Sequence, residues 1–118
     1  MQDDEIIKDR IQLIIDGINI IEAYCSGILS KDDFLRNTET LKTLDAVIMR
    51  LQVIGENIKK IETLKPGFFS DIIDYDVTPV IRFRDFISHH YEKLDHEIIF
   101  EIITIEIPLL KNKLQSIE

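Results

Sequence analysis

The sequence has too few turn-forming residues for a β-sheet protein of its size, because it contains only four glycines and three prolines. A sheet would need more turns and more alternation of β-branched with polar residues. Nearly half of the residues are apolar, and isoleucine and leucine far outnumber valine, a mixture that favours helices. A chain of 118 residues can bury a core as one domain. The sequence therefore predicts a single all-α domain over residues 1–118.

Cysteine and long apolar runs are also scarce. Cys25 is the only cysteine, so no internal disulfide can form, which favours a reducing cytoplasm. Asp3, Asp4 and Glu5 stand where a secretory signal would carry basic residues, so no signal peptide is predicted. Uninterrupted apolar runs are too short to span a bilayer. We therefore expect a cytoplasmic protein that does not contact a membrane.

Positive charge is in deficit, since 14 lysines and arginines face 22 aspartates and glutamates and the net charge is −8. A protein that coats nucleic acid nonspecifically uses a basic face and counterion release, and this chain has no such surplus. Any contact with RNA must be local and made by a few clustered cations, and DNA is not expected as a partner. An acidic surface would also suit a basic protein partner.

Two long amphipathic helices are predicted in the first half of the chain. The first runs from Asp3 to Leu29 and the second from about Glu39 to Leu64, each with apolar residues three and four positions apart. Between them, Ser30 and Asp33 resemble a capping box that starts a brief helix. Both helices have wider apolar faces than a monomeric bundle needs, which indicates deeper burial or a homodimer surface. The additional positions are Ile6, Leu13, Ile20, Val47, Val53 and Gly55.

The second half of the chain is expected to add two further helices. Residues 66–78 are too apolar for a free linker, so they should pack on the bundle, with a short helical turn. Thr78 and Pro79 mark the start of a third helix. Asp95 caps a last helix, which Pro108 should kink or divide. The predicted fold is an antiparallel bundle of four to five helices.

The segment RDFISHHY, residues 84–91, concentrates groups that can handle a phosphate or a proton. A histidine can exchange a proton with a ribose 2′-hydroxyl or a leaving 5′-oxygen, and an arginine can hold phosphate oxygens. On a regular helix Asp85 can hydrogen-bond His89, whereas Arg84 and His89 lie about 140° apart. Either the helix loosens near His89, or a second copy of the chain completes the site across a two-fold axis. From chemistry alone, a solvated helix face is the simpler interpretation.

Other polar residues fit supporting roles. Glu56 lies on the core side of the second helix, where a carboxylate is costly unless paired, so a salt bridge is favoured over direct catalysis. His90 falls near Phe86 and is expected to pack there, although the sequence leaves open whether His89 or His90 points into the site. There is no metal-ligand motif or glycine-rich phosphate loop, and cleavage through a 2′-hydroxyl needs neither. No metal and no other cofactor is therefore expected.

The array formed by Arg84, His89 and Tyr91, written R-x4-H-x-Y, resembles the signature of HepT-like proteins in the HEPN superfamily. The stretch LDAVIMRLQVIGENIKKI, residues 44–61, is similar to the second long helix of that family. An acidic break and a last helix with Ile-Pro-Leu follow in the order that the family has. The resemblance is best from about Leu44 to Leu110, and the chain lacks the Pro-Trp element of many relatives.

This resemblance implies a helical, dimeric, metal-independent RNase toxin of a toxin–antitoxin pair, acting on RNA, with tRNA as one candidate. By position, Arg84 and His89 would be catalytic, and Asp85 matches a position that is often asparagine. Glu56 would lie near the dimer seam and help to position Arg84. Tyr91 would receive AMP from a minimal nucleotidyltransferase antitoxin. The alternatives are a non-catalytic binding subunit that accompanies a nucleotidyltransferase, and a motif that only stabilises the dimer.

Overall fold

The computed structural model describes residues 2–117, apart from the side chain of Tyr91. Its α-helices are α1 (Gln2–Tyr24), α2 (Thr38–Leu64), α3 (Thr78–His90), α4 (His96–Glu101) and α5 (Ile107–Gln115). Short 3₁₀ or π-helical segments lie at Lys31–Leu35, Phe68–Ile73, Tyr91–Lys93 and Ile102–Glu106. Within residues 2–117 there is no β-strand, so the prediction of an all-α fold is confirmed. None of the helices in that range combines the length and apolar character that crossing a bilayer requires.

Helices α1 and α2 form an antiparallel pair at the centre of the bundle. Gly17 allows their close approach, because a Cβ atom there would stand 3.3 Å from the side chain of Ile54. Towards the other end of the pair, Arg10 donates a hydrogen bond of 3.1 Å to Oδ1 of Asn57. Asn57 is buried, and its amide also donates to the carbonyl of Val53, so its polar atoms are paired. The predicted apolar stripes of both helices form most of the core.

The remaining helices pack on either side of this pair. Helix α3 lies antiparallel to α2, and α5 lies antiparallel to α1, where Lys111 and Glu22 form an ion pair of 3.3 Å. The segment Phe68–Ile73 is preceded by Gly67, whose φ of 81° is left-handed and suits glycine. Its first amides are bound by Glu62, which accepts hydrogen bonds from the backbone of Gly67 and Phe69 at 2.9 Å each. The antiparallel bundle is thus as predicted.

The first helix ends earlier than its apolar pattern suggested, at Tyr24 instead of Leu29. Cys25 and Ile28 still pack against the core, but they do so from a turn. Arg36 donates a hydrogen bond of 2.9 Å to the carbonyl of Gly27 and so holds this turn closed. The predicted capping contact is present beyond it, since the carboxylate of Asp33 accepts from the backbone amide of Ser30 at 3.1 Å.

The additional apolar positions on α1 and α2 divide between the core and the surface. Val47 is fully buried within the monomer, and Gly55 is buried beneath a side chain of α3. Leu13 and Val53 are exposed, by 50% and 44%. The apolar width therefore reflects deeper burial at some positions and leaves a free apolar surface at others.

Pro108 divides the last helix, as predicted. A proline ring displaces the carbonyl four residues earlier, and the backbone responds with the π-helical segment Ile102–Glu106 between α4 and α5. Tyr75 stabilises this segment, because its hydroxyl donates to the carboxylate of Glu106 at 2.9 Å. Burial and this contact raise the pKa of Tyr75. Asp95 caps α4 by accepting from the backbone amide of Glu97 at 2.8 Å.

Candidate active site

Arg84 lies midway along α3, where that helix crosses α2 at Gly55. A Cβ atom on Gly55 would stand 2.7 Å from both Cβ and Cγ of Arg84, closer than side-chain carbons approach one another. The absence of a side chain at Gly55 therefore lets the stem of Arg84 lie directly on α2. The guanidinium group emerges at the edge of the helix pair, with 22% of the side chain exposed.

The guanidinium group of Arg84 is held by two carboxylates. Nη2 pairs with Glu56 on α2, and Nη1 donates to Oδ1 of Asp85 at 2.9 Å. Nη1 and Nη2 are thus engaged, while Nε is buried without a hydrogen-bond partner in the part of the chain that the structure describes. The salt bridge favoured for Glu56 is present, and it places Glu56 where it can orient Arg84.

Asp85 has a different environment from the one expected. Its carboxylate contacts Arg84 and Lys59, whose Nζ lies 3.5 Å from Oδ1, and no described hydrogen bond joins it to His89. The hydrogen bond from Arg84, with a smaller contribution from Lys59, holds the pKa of Asp85 below its ordinary value.

The two histidines lie at the C-terminal end of α3 and are both exposed. The ring of His90 lies 5.0 Å from that of Phe86, centroid to centroid, as its position beside that residue predicted. The ring centroids of His89 and His90 lie 6.4 Å apart. Helix α3 stays regular through His89, so Arg84 and His89 lie about 140° apart around its axis. The helix does not loosen before His89, so the two side chains of one chain point in different directions.

An apolar surface adjoins α3. An apolar groove of about 370 Å³ runs between α3 and α4. It is lined mainly by Phe83, Phe86, Leu94, Ile98, Ile102 and Ile105. Tyr91, the expected site of AMP attachment, has its side chain outside the described residues.

Sequence reasoning missed Lys59 as a member of this site. Lys59 follows Glu56 by three residues on α2, a spacing that puts both side chains on one face of the helix. That spacing was the available signal, but it could be used only once α3 was known to cross this face.

The structure is a helical bundle with an ion-paired arginine and an exposed histidine on one helix. A bundle with these residues in R-x4-H-x-Y spacing is typical of the HEPN class. Comparison with known proteins narrows the class. The family model described as ribonuclease HepT-like matches residues 14–117, and the chain belongs to that family.

Curated relatives agree with this placement. The chain is 31% identical over 111 residues to a Thermococcus cleftensis protein named as a probable ribonuclease HepT, covering 93% of this chain and 94% of the relative. It is 34% identical over 87 residues to a Methanocaldococcus jannaschii protein that is provisionally named an RNase, covering 74% of this chain and 64% of the relative. Another M. jannaschii protein, whose name joins gamma-glutamylcyclotransferase to a provisional RNase, is 32% identical over 94% of this chain and 47% of its own length. No solved structure matches the chain significantly.

Proposed function

We propose that the protein is a ribonuclease toxin that cleaves RNA through the ribose 2′-hydroxyl without a metal ion. Membership of the ribonuclease HepT-like family supports the class of reaction. The observation that carries the proposal is the arrangement on α3, where Arg84 is held in place by carboxylates and His89 is exposed and free to meet a substrate.

In this reaction His89 takes the proton from the 2′-hydroxyl or gives one to the leaving 5′-oxygen, and solvent water supplies or accepts the other proton. The 2′-oxygen forms a bond to phosphorus while the bond from phosphorus to the 5′-oxygen breaks. The products are a 2′,3′-cyclic phosphate and a 5′-hydroxyl. Arg84 binds the non-bridging phosphate oxygens and stabilises the charge that builds in the transition state.

A homodimer would bring the two groups to one phosphate. Because α3 is regular, one subunit aims Arg84 and His89 in directions about 140° apart. Two copies of α3 related by a two-fold axis could place the arginine of one subunit beside the histidine of its partner. Exposed apolar side chains such as Leu13, Val53 and Phe86 supply surface that such an interface could bury.

We further propose that Tyr91 is the residue through which activity is regulated, by AMP attachment from a nucleotidyltransferase antitoxin. Tyr91 follows His89 by two residues and lies at the start of the turn after α3. A nucleotide adduct there would add negative charge and bulk beside the position of the substrate phosphate. Both effects oppose RNA binding. The mass of the Tyr91 peptide, from cells with and without a co-expressed nucleotidyltransferase, tests this: multiples of AMP are expected only with the partner.

The cleavage proposal is tested by substitution at the motif. His89→Ala and Arg84→Ala should each abolish RNA cleavage while circular dichroism and the oligomeric state stay unchanged. His96→Ala, in the histidine at the start of α4, is the matched control and should cleave normally. Cleavage should also persist in EDTA. Full activity of the His89→Ala protein, or complete inhibition by EDTA that added metal reverses, would exclude the proposed mechanism.

The second candidate function is a binding subunit without catalysis, which the net charge of −8 favours, because an acidic surface suits a basic protein better than RNA. It predicts tight binding to a nucleotidyltransferase and no cleavage of any RNA by the wild-type protein. An RNA product that disappears in His89→Ala would exclude it.

A further inference from the structure

One oxygen atom in the candidate site is shared by two cations from different helices. Oδ1 of Asp85 accepts a hydrogen bond of 2.9 Å from Nη1 of Arg84 on α3 and lies 3.5 Å from Nζ of Lys59 on α2. Arg84 and Lys59 are 25 residues apart in sequence (84 − 59), and only the crossing of α2 and α3 brings them together. The fold thus surrounds one anionic oxygen with an arginine and a lysine.

A phosphate oxygen could take the place of this carboxylate oxygen, because both are anionic acceptors of charge-assisted hydrogen bonds. Asp85 is held weakly for such an exchange: its side chain is 51% exposed and that of Lys59 is 46% exposed, and exposed ion pairs contribute little to stability. Arg84 is held more firmly, because its aliphatic stem lies against Gly55 and its guanidinium group pairs with Glu56. Asp85 can therefore turn to solvent while Arg84 stays in place.

The requirement for local cations also points to Lys59. The chain as a whole repels a polyanion, because its net charge is −8. A single guanidinium group that is already paired with Glu56 offers little net positive charge to a phosphate. A second cation beside it, on a rigid helix, restores that charge at the point where the backbone of RNA must approach.

We propose that Lys59 and Arg84 together form a phosphate-binding pair for the RNA backbone, with Asp85 as a carboxylate that occupies the site until RNA displaces it. This inference rests on the proposed RNA-cleaving function and adds a binding residue to it. The competing interpretation is that Lys59 only neutralises Asp85.

The test is a binding assay with an RNA that the protein cannot cleave. A fluorescein-labelled single-stranded RNA of mixed sequence, with every 2′-hydroxyl replaced by 2′-methoxy, is titrated with protein at several salt concentrations. Lys59→Ala should weaken binding several-fold and reduce the slope of log affinity against log salt by about 0.7, the value for one lost phosphate contact on a single strand. Lys60→Ala, in the exposed neighbouring lysine, is the matched control and should change neither quantity.

The Asp85→Asn background separates the two interpretations. Asp85→Asn alone should tighten binding, because the competing carboxylate is gone. If Lys59 binds phosphate, adding Lys59→Ala to Asp85→Asn will still reduce the salt slope by about 0.7. If the double variant binds with the affinity and slope of Asp85→Asn, Lys59 acts only on Asp85 and the inference is wrong. It is equally wrong if the wild-type protein fails to bind the probe at low salt.

Cleavage of ordinary RNA, measured on the same preparations, keeps the two proposals apart. Cleavage by the wild-type protein with no effect of Lys59→Ala on binding would reject the phosphate pair and leave the ribonuclease in place. A Lys59-dependent salt slope in a protein that cleaves no RNA would support the pair and reject the ribonuclease.

Discussion

Replacing Gly55 with alanine should push α3 away from α2 and disturb the site through Arg84. The new Cβ would stand 2.7 Å from Cβ and Cγ of Arg84. The first of these atoms is fixed to the backbone of α3, so rotating the side chain cannot relieve the contact. The two helices must therefore separate, which also moves Arg84 relative to Glu56 on α2.

The size of the effect follows from two opposing contributions. Overpacking costs about 1–3 kcal/mol, and a contact with a backbone-fixed atom belongs in the upper part of that range. Alanine in a helix interior gains about 1 kcal/mol over glycine. The net loss of unfolding free energy should be about 1–2 kcal/mol, which for a chain of this length lowers Tm by roughly 3–10 °C.

Two other glycines provide matched controls for thermal unfolding followed by circular dichroism. A Cβ on Gly27 would meet no described atom within 4 Å, so Gly27→Ala should change stability by less than about 0.5 kcal/mol. A Cβ on Gly17 would meet only the side chain of Ile54, at 3.3 Å, so the helix gain and the packing cost should nearly cancel. The expected order of Tm is Gly27→Ala above or near Gly17→Ala, with Gly55→Ala clearly lowest.

The rate of RNA cleavage is a second measurement that tests the effect of Gly55→Ala. A displacement of a catalytic group by about 1 Å can lower the rate on the order of a hundredfold, so Gly55→Ala should lose activity at temperatures where it is fully folded. In the Arg84→Ala background the contact with Cγ is gone and the contact with Cβ remains, so the stability loss should shrink without vanishing. A Gly55→Ala protein that melts at or above the wild-type temperature would refute this account of the helix crossing.

Three further predictions concern single side chains. Asp95→Ala removes the hydrogen bond to the amide of Glu97 and should cost about 1 kcal/mol in thermal unfolding, whereas Asp95→Asn should cost less. Because Arg84 lowers the pKa of Asp85, the stabilising effect of that carboxylate is present above its ordinary pKa and lost as pH falls through the lowered value. Because the ion pair is exposed, wild type should exceed Asp85→Asn in Tm only slightly at pH 6, with the gap closing below about pH 4; a constant gap would contradict this. Burial raises the pKa of Cys25 to about 11, so its thiol should react at pH 8 on the order of a hundredfold more slowly than it does in denaturant.

The helices could be predicted well because their signals are local. Apolar residues three and four positions apart define a buried stripe whatever the partner, and the stripe of α1 is buried from Ile7 to Ile21. Asp95 and Pro108 act on the backbone within one turn of their own position. The cap and the division of the last helix could therefore also be predicted from the sequence. The C-terminal end of α1 could not be predicted, because Cys25 and Ile28 continue the apolar pattern and pack against the core without being helical.

The site was predicted in part. The motif spacing placed Arg84 and His89 on one helix, and the salt bridge expected for Glu56 is formed with Arg84, although the Glu56 side chain is 40% exposed and not on the buried side of its helix. The hydrogen bond predicted between Asp85 and His89 is absent from the described residues, where the Asp85 carboxylate instead contacts Arg84 and Lys59. Helical spacing gives the directions of side chains on one helix but not which neighbouring helix they meet.

The sequence by itself determined the helical class, the places where most helices begin, and the position of the R-x4-H-x-Y array on α3. These depend on periodicity and on capping chemistry, which act over a few residues. Only the tertiary structure decided that α3 crosses α2 at Gly55, and hence that Lys59 approaches Asp85. An apolar stripe fixes which face of a helix is buried, whereas the angle and register of a crossing depend on how all the side chains of both helices pack together.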